Sequence, residues 1–424
     1  MKKLFALLLA LAMVLSLSPV FAEDITITLW TYPIGSWVDD ATVQGIIANF
    51  EAANPGIKVE VQYLDYTSGD DQVTTAIEAG TTPDIIMEGP ERLVSNWGAA
   101  GKMLPLNDLW TEEATADIVA TSAALESACK WSDGNYYEYP LCMTTHTMVI
   151  NKAAFEAAGA LQYIDEETRT WTTEGFIAAC KALTEAGYMT GVVYCGGQGG
   201  DQGTRALVNN LYSGQFANAD HTAYTADSAE NIQGLELLQS MVNDGILVAD
   251  PSIVASDEIA LFCNGTINMG FCWNAAAAVS NKASIADGVE AFPMAFPSDD
   301  GVPELCGGIW GFGIFDNGSD ARAEAAKAFI KFVCDDAVQG PQSVYATGFF
   351  PVRASFGDIY TGTEKAANSE FSVFMPYLGD YYAVTPGWAV QRTEWWNLLQ
   401  RVFAGGNVAD EVAVYVTNAN ASIK

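Results

Sequence analysis

The chain has 424 residues, half of them apolar and 11% aromatic, which is enough for two hydrophobic cores and suggests two domains. Its 52 Asp and Glu against 19 Lys and Arg give a formal charge of −33, a surface that repels nucleic acid and anionic lipid. Eight cysteines without a CxxC pair, and two histidines far from any cysteine cluster, argue against a zinc site.

In chain order, Lys2 and Lys3 precede an apolar run from Leu4 to Leu17, and Val20-Phe21-Ala22 offers small residues at a cleavage site. This reads as a signal peptide removed after Ala22. The mature chain then loses two lysines and no acid, moving from −33 to −35, and starts without a cysteine to carry lipid. Ile25, Ile27 and Leu29 alternate with threonines as a first strand ending at Trp30. A loop leads to a helix with Val43, Ile46, Ile47 and Phe50 on one face, stopped by Asn54-Pro55-Gly56. A second strand follows at 57–63, then a polar loop carrying Asp65, Asp70 and Asp71. Val73, Ala76 and Ile77 mark the next helix, closed by Gly80. Pro83 forbids its continuation, and Ile85-Ile86-Met87 reads as a strand buried on both faces. Glu88, Gly89 and Pro90 end that strand, so a carboxylate stands at the carboxyl edge of a parallel sheet, where open α/β folds bind ligands.

Cys129 and Cys142 flank a predicted hairpin at Ser132-Asp133-Gly134-Asn135, and Cys263 and Cys272 flank Asn264-Gly265. Each pair is compatible with a disulfide or with two free thiols. Residues 136–159 read as a strand and then a helix, and Trp171-Thr172-Thr173-Glu174 opens another helix. A strand at 192–195 runs into the glycine-rich loop 196–203, which lacks the lysine of a phosphate loop and reads as the rim of a cleft at Gln198. Residues 260–273 read as helix end, turn and strand, and 289–297 as a returning strand. In GGIWGFGIF (307–315), Trp310, Phe312 and Ile314 share one face while Gly311 and Gly313 allow close backbone approach on the other. Ala325, Ala328, Phe329, Phe332 and Val333 mark a helix. Pro386-Gly387-Trp388 opens another, whose buried stripe is Trp395, Leu398, Leu399 and Val402, and a terminal helix spans 408–423.

TTPDIIMEGPER, YYEYPLCMTTHTMVINKAAFEAAG, the glycine-then-tryptophan strand ending at Trp273, GFFPVR and PGWAVQRT fall in one order along the mature chain. Together they resemble bacterial extracellular solute-binding proteins of the sugar-binding type, the maltose-binding-protein-like group. The resemblance implies an α/β, two-lobed periplasmic-binding-protein-like fold of type II with the ligand cleft between lobes. It implies crossings near 143–148, 290–295 and 349–354, hence one lobe from 23–145 with 290–348 and another from 146–289 with 349–424. It implies a monomeric receptor, exported and without cofactor, that delivers a carbohydrate to the membrane subunits of an ABC importer. By position it places Tyr32, Trp37 and Asp65 in contact loops, Glu88, Glu91 and Arg92 facing the cleft, and Thr144, Thr145 and His146 at the first crossing. It places Trp273 and Trp388 as stacking rings. Glu88 stands where the family has tryptophan, and Thr144 replaces a ligand-binding glutamate, so the ligand is expected to sit differently.

The residues themselves suit such a ligand. Sugars offer C–H faces to aromatic rings and a rim of hydroxyls to Asp, Glu, Asn and Arg. Trp37, Glu88, Trp273, Trp310, Trp388 and Arg392 supply that chemistry if they converge, and Gly308, on the same strand as Trp310, is a further ligand-binding position. Other readings remain: Trp310 as scaffold, His146 as a hydrogen-bonded crossover residue, Glu91 with Arg92 as a surface ion pair, Asp84 as a cap. No HExxH, GxSxG or Walker-type loop is present, although two suitably spaced carboxylates would suffice for a secreted carbohydrate hydrolase. A polyol or glycerol phosphate is the alternative ligand, the phosphate being disfavoured by the scarcity of basic residues.

Overall fold

A computed structural model describes residues 24–423 except 67 and 198–200. The expected signal peptide at 1–22 and Gln198 lie outside the described residues. Eleven strands are described: β1 (Ile25–Thr31), β2 (Ile57–Tyr63), β3 (Ile85–Glu88), β4 (Tyr139–Thr145), β5 (Thr147–Asn151), β6 (Val192–Tyr194), β7 (Val248–Asp250), β8 (Met269–Trp273), β9 (Ala291–Met294), β10 (Gly307–Ile314) and β11 (Phe350–Pro351).

They form two separate sheet systems. The larger has the order β11-β4-β10-β3-β1-β2, with β2, β1 and β3 parallel and β10 running antiparallel to both β3 and β4. The smaller has the order β8-β5-β9, and a bridge from Gly191 to Met269 links it to the parallel pair β6-β7. The chain leaves the large sheet at β4 and enters the small one at β5, with only His146 between. It returns after β9, which pairs with β5, so that passage lies in 295–306, later than the 290–295 expected. Beyond β11 the helices Trp388–Phe403 and Val408–Ala421 pack on the helices Asp201–Leu211 and Ala229–Asn243. Among the described residues no helix is long and apolar enough to cross a membrane.

Local chemistry explains the elements that position the site. Helix Gly69–Ala79 buries Val73 and Ala76 and ends at Gly80, whose φ of 67° lies in the left-handed region that glycine enters without strain. That turn sends the chain into β3, all four residues of which are buried. Asp84, just before β3 and 1% exposed, is more than a cap. Its carboxylate accepts from Thr28 N (2.8 Å), from Arg322 Nη2 (2.7 Å) and from the Asn317 amide, tying β1, β3 and helix Asp320–Asp335 together. Asp84→Ala is expected to lower stability by about 2–3 kcal/mol, because it strands a buried N–H and a partly screened guanidinium. The check is a urea midpoint that falls at unchanged slope; an unmoved midpoint would show the tie to be dispensable.

None of the eight cysteines is joined in a disulfide, so neither possible bridge is formed. The hairpin at 132–135 exists, but Tyr137 N–H bonds the Cys129 carbonyl, and Cys142 lies farther along β4 beside Trp310 of β10.

Candidate functional site

The carboxyl edge of β3 gathers most of the polar side chains singled out in the sequence. Glu88 ends the strand, 1% exposed, and its carboxylate accepts from the Gly89 N–H. Pro90 opens the short helical turn Pro90–Arg92, which sets Glu91 and Arg92 beside it. Arg92 donates in a two-pronged contact to Asp70, Nε to Oδ1 at 2.8 Å and Nη2 to Oδ2 at 3.0 Å. Its Nη1 lies 3.3 Å from Glu88 and 3.9 Å from Glu91. The guanidinium stands over the rings of Tyr32 and Tyr66, 5.3 and 5.7 Å away, and these two rings stack at 5.2 Å. The Tyr32 hydroxyl donates to Asp70.

The carboxy-terminal part of the chain meets this edge. The Tyr381 hydroxyl donates to Glu91 Oε2 at 3.3 Å, and Arg392 is near enough to act on the Glu91 charge. Trp388 is the first residue of its helix, after Gly387 in the left-handed region (φ 84°), and its half-buried ring has the guanidinium groups of Arg205 and Arg392 at 4.9 and 5.6 Å. Segment 378–387 is held on both sides. The Ser122 hydroxyl donates to the Leu378 carbonyl at 3.0 Å, His221 pairs with Asp380 at 3.2 Å, and the Tyr224 hydroxyl donates to the Thr385 carbonyl at 3.0 Å.

Burial sets the electrostatics. It pushes the Glu88 carboxyl up to about 8, aided by the negative charge of Glu91 and opposed by Arg92. It raises Glu91 in the same way. Burial would also raise Asp70, but the Arg92 and Tyr32 hydrogen bonds win and hold it below its ordinary value. Glu138, just before β4 and 0% exposed, is raised well above the usual range by burial and by the charges of Glu91 and Glu88.

A cavity of about 730 Å³ lies elsewhere between the two sheet systems, walled by Ser36, Trp273, Phe349, Asn368 and Phe371. Trp310 stacks on Phe349 at 4.5 Å and 15°. Gly308 makes that possible, since a Cβ there would lie 2.2 Å from the Trp310 ring. A volume of this size suits a small ligand.

The sequence candidates therefore separate. Tyr32, Glu88, Glu91 and Arg92 gather at the β3 edge, and Trp388 and Arg392 stand on the helix that follows Tyr381, whose hydroxyl reaches Glu91; Trp273, Gly308 and Trp310 belong to the cavity wall and its backing. Trp37 does neither. It is 0% exposed, edge-on to Phe312 at 5.5 Å, and its indole donates to the Ser343 carbonyl, so its ring serves the core. Asp65 is exposed and accepts from Ser68 N and Oγ, closing the turn before helix Gly69–Ala79. Thr144 and Thr145 are buried in β4, and His146 N–H bonds the Cys306 carbonyl at the crossing. Trp273 is 1% exposed and packs edge-on to Phe262, so only its rim reaches the cavity. Tyr66, Asp70, Arg205 and Tyr381 had not been singled out. An Arg in the helix after the glycine-rich loop and the Tyr381-Tyr382 pair before Pro386 were the available signals.

The sequence profile described as bacterial extracellular solute-binding protein matches residues 35–340. A binding protein of Brucella abortus (strain 2308) is 24% identical over 86% of this chain and 85% of its own. Among solved structures, the cyclic alpha-maltosyl-1,6-maltose binding protein from Arthrobacter globiformis superposes with a TM-score of 0.72 at 18% identity, covering 94% of this chain and 99% of that one. The sugar-binding protein MalE from Xanthomonas citri gives 0.71 at 17%, covering 94% and 96%. The ABC transporter solute-binding protein from Thermotoga lettingae, bound with alpha-D-tagatose, gives 0.66 at 19%, covering 94% and 100%. These likenesses establish the fold, a two-lobed α/β binding protein, as expected from the sequence.

Proposed function

The chain belongs to the bacterial extracellular solute-binding protein family, and on that premise we propose that it is the extracytoplasmic receptor of an ABC-type importer, binding an oligosaccharide between two lobes. The observation that carries this reading is the Tyr381–Glu91 hydrogen bond, which sets the β3 edge with Glu88 and Arg92 against the carboxy-terminal segment that leads to Trp388 and Arg392. A ring with flanking hydrogen-bonding groups is what a heavily hydroxylated ligand needs, since each hydroxyl left unmatched loses its hydration without return. The lobes are read as 23–145 with 290–348 and 146–289 with 349–424, the boundary near 290 moving to 295–306 with β9. A ligand touching both favours the closed arrangement by its differential affinity. The carbohydrate-binding neighbours named above support this choice of ligand class. Export by a cleaved leader, a monomeric state and docking on membrane permease subunits belong to the same reading.

A thermal-shift screen over oligosaccharides, with the sugars recovered and analysed, is the test. A receptor raises its melting temperature and leaves every sugar intact; cleavage would point to the hydrolase instead. Trp388→Ala is expected to weaken the best ligand by about 1–3 kcal/mol, roughly ten- to a hundredfold in Kd, with little change in the ligand-free melting temperature. A collapse in stability at retained affinity would make Trp388 a core residue.

A further inference from the structure

The cavity of about 730 Å³ has a lining unlike the charged β3 edge. On the small-sheet side helix Ala275–Asn281, sequence AAAAVSN, turns Ala275, Ala276, Ala278 and Val279 to it, with Pro293 of β9 beside them. From the large-sheet side come Phe371 and Phe349, the latter half-buried with one face already on Trp310. Most polar groups of the lining are engaged or outside. Thr347 Oγ1 donates to the Val344 carbonyl at 2.6 Å and accepts from Phe349 N at 3.0 Å. Lys365 Nζ donates to the Tyr345 carbonyl at 2.8 Å and lies 4.4 Å from the centre of that residue's ring. Lys282, Glu364 and Glu370 are exposed, so their charges stay hydrated. Asn368, 4% exposed, donates to the Gly348 carbonyl at 3.1 Å, and among the described residues its Oδ1 has no partner. One open buried acceptor cannot match the several hydroxyls of a sugar ring, each of which would lose its hydration without return. Phenylalanine rings facing an alanine wall suit an aromatic group instead.

Strand β10 joins the cavity to the β3 edge. Gly311 pairs with Glu88, and Trp310, one residue earlier, carries the Phe349 ring on its own. A ligand spanning the two places is polar at one end and apolar at the other. Resting on the carbohydrate reading above, we propose that the ligand is a glycoside with an aromatic aglycone, its sugar toward the Glu88 edge and its aglycone seated in this cavity between Phe349, Phe371 and the alanine wall. The aglycone is then buried against rings and methyl groups, and the sugar keeps its hydroxyls among groups that can bond them.

Matched methyl and phenyl glycosides of maltose, cellobiose and xylobiose, titrated calorimetrically into the full chain, test this. For whichever sugar binds, the phenyl glycoside is expected to bind at least about tenfold more tightly than the methyl one, with a more negative heat-capacity change. Ala278→Phe and, separately, Val279→Phe put a ring into the cavity from the helix and should cut that advantage to about twofold or less, with the ligand-free melting curve reporting that each variant folds. Val279 is 56% exposed, so its replacement disturbs the fold least. Equal binding within every pair that binds, or an undiminished phenyl advantage in the folded variants, overturns the aromatic aglycone and leaves the carbohydrate receptor standing. If no glycoside of any pair binds, both readings fall.

Discussion

Trp395→Ala is expected to destabilise the ligand-free protein by about 3–5 kcal/mol, the range for emptying a large aromatic site in a packed core. Trp395 is 0% exposed in helix Trp388–Phe403. Its indole donates to the Thr204 hydroxyl at 2.9 Å, and its ring meets Phe216 and Tyr415 edge-on at 4.9 and 6.1 Å. The substitution opens a void between three helices that cannot collapse without moving their backbones. Denaturant unfolding should show the midpoint falling sharply. Trp388, two turns earlier on the same helix and half-buried, should show the opposite profile, with affinity lost and stability kept. Matching stability losses in the two variants would erase the distinction drawn here between core ring and ligand ring.

Glu138→Gln should stabilise the protein, and by more as the pH rises. The folded chain holds the Glu138 carboxyl well above its ordinary value of 4.5, through burial first and then the charges of Glu91 and Glu88. A group raised on folding contributes most below its unfolded value, and that contribution is lost as pH climbs toward the folded value. The slope is about 1.4 kcal/mol per pH unit while the unfolded chain is ionised and the folded chain is not. Glutamine removes the linkage. Calorimetric melting at pH 5 and pH 8 should find wild type and variant close together at the lower pH and well separated at the higher. A gap of equal size at both would falsify the assignment.

The strands and helices were legible because their signals are local. Ile25, Ile27 and Leu29 alternate, Val43 to Phe50 repeat at helical spacing, and Gly80 ends its helix where a left-handed residue is needed. The site was legible only where the residues carry their chemistry at a strand end, as Glu88, Glu91 and Arg92 do. What escaped was set by distant partners. Trp37 looks like a loop platform until Ser343 and Phe312 claim its indole and its face. Asp84 looks like a cap until Arg322 arrives on a helix 238 positions later. Nothing near Tyr381 signals that its hydroxyl meets Glu91, 290 positions away. The cysteine pairs stayed open for a like reason: a turn brings two segments together, but Cys129 and Cys263 end helices while Cys142 and Cys272 lie in strands, and no local signal shows that they do not join.

The place of β10 has a consequence for how the molecule is made. This strand fills the gap between β3 and β4 in the middle of the large sheet, yet its residues follow the whole of the small sheet in the chain. During synthesis, β1 to β3 can pair early, but the edge of β3 and both edges of β4 stay bare until residues 307–314 and 350–351 emerge. Such long-range closure slows folding, and it keeps the chain open and sticky for most of its elongation. Neither half can be cut out as an autonomous domain: a fragment ending at Met294 carries the small sheet complete and the large one split down its centre, with bare strand edges ready to pair with another molecule.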